Sequence, residues 1–216
     1  RDARALERVG VDGARASIPL AADPAFLRVA NRRMYVYSRA SGVLQEIATH
    51  PFAIARTLDV APFASDLEID SGVAYLVYPR AAKIVAVAIE SMKPIREIHV
   101  GAVPVDLAIA SHHLALADPS AKRIWMIERD ESFARAFLRG LIGIAPRSGN
   151  RDYPTGVDRI LTSGGEVYAY DSSSQTLYRG TKPMAEGIGP QAFSIGPGGA
   201  YAWSDTVRRL QRISTE

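Results

Sequence analysis

Short apolar segments recur along this chain at fixed distances, each set off from the next by small or polar residues. Five anchors, Leu27, Leu67, Leu107, Ile160 and Phe193, are each followed seven residues later by the first residue of a second segment. These are Met34 to Tyr37, Ala74 to Val77, Leu114 to Ala117, Val167 to Tyr170 and Ala200 to Trp203. Ten residues further on comes a third: Leu44 to Ile47, Ile84 to Val87, Ile124 to Ile127, Leu177 to Gly180 and Leu210 to Ile213. Apolar residues at the anchor and two positions on, as in Leu27/Val29, Leu67/Ile69, Leu107/Ile109 and Phe193/Ile195, have the period of a half-buried strand. The residues before each second segment, among them Asn31-Arg32-Arg33, Asp70-Ser71-Gly72 and Ser163-Gly164-Gly165, suit tight hairpin turns. A more variable fourth strand, such as Ile95 to Val100, precedes the next anchor. A period near 40 residues built from short alternating strands predicts an all-β fold. Its expected form is a β-propeller of about five blades, mostly of four antiparallel strands, in one domain spanning 1–216.

The irregularities of the repeat are as informative as its regularity. The anchors are 40, 40, 53 and 33 residues apart. Aligning the third repeat on the second assigns its 13 extra residues to an insertion, Leu141 to Tyr153, in the connection to the fourth blade. The short interval after it predicts a stunted or missing outer strand in that blade. Near the N-terminus, Leu6 to Val9 has the pattern of a third strand and Ala14 to Leu20 that of a fourth. These strands are expected to complete the last blade and so remove an open edge, to pair at an edge, or to belong to a larger propeller.

Composition narrows the partners. There are 26 Lys and Arg against 23 Asp and Glu, a surplus of +3, and the arginines are spread over all repeats. That is the charge pattern of a solvated surface, so no nucleic-acid partner is expected. No stretch approaches the roughly 18 consecutive apolar residues of a membrane helix, which predicts no membrane insertion in this chain. The absence of cysteine rules out a disulfide framework and cysteine-based zinc sites.

The third repeat carries a family resemblance. Val100-Gly101-Ala102-Val103-Pro104-Val105-Asp106-Leu107-Ala108-Ile109, followed by Leu114-Ala115-Leu116-Ala117-Asp118 and Ile124-Trp125-Met126-Ile127, resembles the YVTN and NHL-type propeller repeats. The resemblance implies the fold and a periplasmic or extracellular binding module. Some such propellers are enzymes, so fold alone does not assign function.

In a propeller, the loop leading into each inner strand and the turn between second and third strands surround the mouth of the central channel. Just before the anchors stand Phe26, Asp66, Asp106, Arg159 and Ala192, with Asp158 beside Arg159. Asp66 and Asp106 are the pair from which a divalent cation could draw oxygen ligands, although Arg159 in the same ring opposes one. Similarity to the gluconolactonase propellers would require Glu and Asn beside Asp; only the two aspartates fit, and no cofactor is expected. Asp118 and Asp171 open turns in which an aspartate commonly bonds the backbone two residues on. The recurring Tyr35, Tyr75, Tyr168 and Tyr201 are read as core between blades. The insertion offers Arg147, Arg151 and Tyr153, residue types frequent at protein interfaces. The resulting expectation is a non-enzymatic module that binds a protein or peptide on the channel-mouth face through Asp66, Asp106, Asp118, Arg147, Arg151, Tyr153, Asp158 and Arg159. The alternatives are a metal-dependent lactonase-like, hydrolase-like or lyase-like enzyme, and a carbohydrate-binding lectin.

Overall fold

The structure is a computed structural model that describes residues 4–129, 149–163, 165–187, 189, 192–196, 199–204 and 209–213. Its contacts divide it into two compact units, Arg1–Ile98 and His99–Glu216.

The first unit begins with a two-stranded sheet, β1 (Ala5–Val9) and β2 (Arg15–Pro19). Two four-stranded antiparallel meanders follow. The first is β3 (Pro24–Ala30), β4 (Arg33–Ser38), β5 (Val43–Thr49) and β6 (Phe52–Asp59). The second is β7 (Asp66–Asp70), β8 (Val73–Tyr78), β9 (Lys83–Ala88) and β10 (Lys93–His99). Each anchor lies in the first strand of its sheet, as the repeat predicts. The hairpins joining β3 to β4 and β7 to β8 have two-residue loops, Asn31-Arg32 and Ser71-Gly72, with positive φ throughout. That is the backbone of a turn whose twist matches the strands it joins.

Register explains the core. Leu67, Leu76 and Val85 stand opposite one another across three strands and therefore share a face. This anchor face joins Tyr35, Tyr37 and Leu44 of the preceding sheet in one buried cluster, so the two blades stack face to face. A polar clamp reinforces the stack: buried Glu46 pairs with Arg33 at 3.3 Å and with Arg56, which also donates to the carbonyls of Ile89 at 2.7 Å and of Glu90.

The anchor face of the first blade is treated differently. The β1–β2 hairpin covers its outer half, placing Ile18 against Val36 and Ile47. The inner half stays open, with Leu27 44% and Val29 70% exposed where the equivalent Leu67 is fully buried. The N-terminal strands thus pair with each other in a sheet of their own, and the last blade is a three-stranded sheet among the described residues.

The second unit repeats the architecture. Its blades are β11 (Asp106–Ala110), β12 (His113–Asp118), β13 (Arg123–Glu128) and β14 (Arg151–Asp152); β15 (Arg159–Ser163), β16 (Glu166–Asp171), β17 (Thr176–Arg179) and β18 (Lys182–Ala185); and β19 (Ala192–Gly196), β20 (Gly199–Ser204) and β21 (Arg209–Ile213). Small residues on one blade receive large ones from the next. Ala108, Ala110, Ala115 and Ala117 share a buried cluster with Ile160, Val167, Tyr153 and Tyr178. Further along, Tyr170 and Leu177 meet Ala200 and Ile213.

One sequence expectation changes here and another holds. The outer strand of the third blade is Arg151–Asp152, paired to Ile124 and Arg123. The end of the insertion is therefore a strand of this blade instead of a loop leading to the next. Its four residues make β18 a short outer strand, in keeping with the expected stunting.

Candidate functional site

At one end of the blades the loop leading into an inner strand meets the turns after second strands. In the first unit the Arg39 amide donates to the Asp23 carbonyl at 2.8 Å, and the Phe63 amide donates to the Arg39 carbonyl at 3.0 Å. Gly42 is required at its turn. It has φ +64, and a Cβ there would stand 2.5 Å from the Val60 carbonyl oxygen.

The carboxylates of this region are heavily used. Asp66, buried in its blade, accepts from its neighbour's amide, Leu67, at 2.8 Å and from Arg28 at 3.2 Å. Arg28 also grips Glu68 at 2.7 Å. Burial raises the Glu68 pKa, and the bonds from Arg28 only partly oppose it. Sequence reading missed this Arg28–Glu68 partnership. The signal was available in the charged residues one position after the anchors Leu27 and Leu67, on the face alternate to them.

In the second unit, Asp106 accepts from the Ile160 amide of the next blade at 2.6 Å, tying two inner strands together. Asp118 accepts from the amides of Val103 at 3.3 Å and Ala121 at 3.1 Å, from Ser120 Oγ at 2.5 Å and from Trp125 Nε1 at 3.2 Å. Burial acts to raise its pKa, but the donors outweigh it and leave the carboxyl below its ordinary value. Asp158 accepts from the amide of Ser172 at 3.1 Å and from its hydroxyl. Asp171 accepts from the Ser173 amide at 2.8 Å, Ser173 Oγ at 2.7 Å and Ser174 Oγ at 2.6 Å. Against the upward push of burial, these donors and Thr155 hold Asp171 at about 2. Arg159 opens β15 opposite Tyr170.

Of the insertion residues, Tyr153 is tied to the second turn of the third blade, its amide donating to the Lys122 carbonyl at 2.9 Å. Arg147 lies outside the described residues. Arg151 is in the outer strand, and Tyr153 is 5% exposed. The Tyr153 ring packs edge-on to Tyr178 at 5.3 Å and its hydroxyl donates to the Gly180 carbonyl at 2.6 Å. Burial pushes its pKa up to about 12. An aromatic side chain at the end of a short outer strand packs in the core between blades. Among the described residues, no three of His, Asp or Glu gather into a group that could hold a metal ion.

No family model matches the chain, and no curated protein matches its sequence. In structure it is similar to a solved streptogramin B lyase, with a TM-score of 0.67 over 93% of this chain and 69% of that one. The fold is a β-propeller. At 13% identity the likeness extends to the fold alone.

Proposed function

We propose that this propeller is a non-enzymatic module that recognises a protein or peptide at the end of its blades where the lead-in loops and second turns meet. The use of the carboxylates there carries the reading. Asp106, Asp118, Asp158 and Asp171 each bond to loop or strand amides, and the last three also to Ser hydroxyls. Such bonds spend the carboxylates on fixing loop geometry, and preorganised loops lower the entropic cost of binding. The resemblance of the third repeat to YVTN and NHL repeats supports the same reading and a periplasmic or extracellular setting.

Photo-cross-linking in the cells that make the protein tests it. A benzophenone amino acid at Ala40 or Ala121, in second turns, is expected to give one discrete adduct, and one at Ser91 or His112, in turns at the opposite end, none. Equal adducts from both ends, or none from either, would overturn the proposal. Loss of streptogramin B in a reaction with the purified protein would favour a lyase instead.

A further inference from the structure

Folding ordinarily turns phenylalanine inward, and a bulky side chain on left-handed backbone is an outlier. Phe63 departs from both habits, with φ +66 and 56% exposure. The loop around it is firmly held. The buried Tyr37 hydroxyl accepts from the Ala64 amide at 2.9 Å and donates to the Ala61 carbonyl at 3.0 Å. Tyr78 donates to the same carbonyl at 2.9 Å. Two core tyrosines thus pin the residues on either side of Phe63 and keep its ring pointing outward. Local strain maintained by a rigid surround points to a use for the strained residue.

The surroundings indicate what that use is. Arg80 lies over the Phe63 ring, 5.9 Å from its centroid, and Arg39, whose carbonyl receives the Phe63 amide, lies over Phe26 at 5.4 Å. Both arginines are exposed, and neither forms an ion pair with a carboxylate among the described residues. A rigid aromatic flanked by unpaired guanidinium groups suits a ligand that combines an apolar side chain with a negative charge. Two arginines in a chain of net charge +3 form no stripe of the kind that tracks a nucleic-acid backbone.

We infer that Phe63, Arg39 and Arg80 form the anchor for a peptide segment that carries a carboxylate beside a large apolar side chain. The inference rests on the binding role proposed above and assigns it a place and a partner chemistry.

The test is selection of a random dodecapeptide phage library on the intact protein, followed by fluorescence polarisation with the labelled peptides recovered. Recovered peptides are expected to carry Asp or Glu within two residues of Phe, Tyr, Trp or Leu. Phe63→Ala should weaken binding about tenfold or more. Arg80→Gln and added salt should weaken it several-fold, as for an exposed charge pair. The side chain at position 63 is exposed, so Phe63→Ala should melt like the wild type, which separates lost contact from lost fold. Peptides without the acidic–apolar pairing, or equal affinity for Phe63→Ala, would overturn the inference. Binding abolished by Arg159→Gln but not by Phe63→Ala would overturn this anchor while leaving the wider binding role intact. A labelled oligo-dT that binds the wild type and not Phe63→Ala would make the occupant a nucleic acid and sink the peptide assignment.

Discussion

Replacing Asp171 by asparagine removes one charge and leaves the size of the side chain unchanged. The carboxylate is 1% exposed and accepts bonds from Ser173 and Ser174 at 2.6 to 2.8 Å. Its pKa falls from an ordinary 3.8 to about 2. A folded-state pKa below the unfolded one means that the unfolded chain binds the proton more tightly, so the contribution is complete above pH 4 and lost as pH falls through 2. A shift of this size corresponds to about 2 kcal/mol at neutral pH. For a chain of this length, that is a fall in Tm of about 4 to 8 °C in Asp171→Asn. Urea unfolding followed by tryptophan fluorescence at pH 7 and pH 3 checks the sign and the size together. The gap between wild type and variant should shrink to roughly half at pH 3. A gap that is the same at both values, or absent at pH 7, would refute the claim that an ionised Asp171 holds this turn.

Three further outcomes follow from the stacked blades. Leu67→Ala empties a fully buried position in the cluster shared with Tyr35 and Tyr37 and should cost about 2 to 5 kcal/mol in urea unfolding. Tyr153→Phe removes the bond to Gly180 and should cost about 1 kcal/mol by the same measurement, whereas a tyrosine at a free surface would cost nothing. The chain has no cysteine, so single probes are clean: Leu27→Cys should react with a maleimide in the native protein, and Leu67→Cys only after unfolding.

Much of the fold was legible because most blades solve the same problem with the same kinds of residue at the same positions. Inner-strand anchors and second-strand tyrosines alternate so that one sheet's apolar face meets the next, and that periodicity is visible before any coordinates. Two features escaped it. The outer strand of the third blade spans only Arg151 and Asp152, too short to show an alternation, and it is placed by its pairing with Arg123 and Ile124 and by the burial of Tyr153. Phe63 escaped for a different reason. Nothing in Ala61-Pro62-Phe63-Ala64 distinguishes a ring held outward from one turned in; the distinction lies in the hydroxyls of Tyr37 and Tyr78, which are distant in sequence. The aspartates were legible as turn residues but not in their reach, since Asp106 bonds Ile160, 54 positions away.

The measurement closest to the central claim is hydrogen exchange of the intact protein with and without the tightest peptide recovered by selection. Recognition at the lead-in loops predicts added protection of the backbone amides in 38–43, 60–66 and 78–83, and none at the opposite turns 30–33 and 70–73. Protection confined to those opposite turns, or no change at either end with the peptide bound, would contradict it.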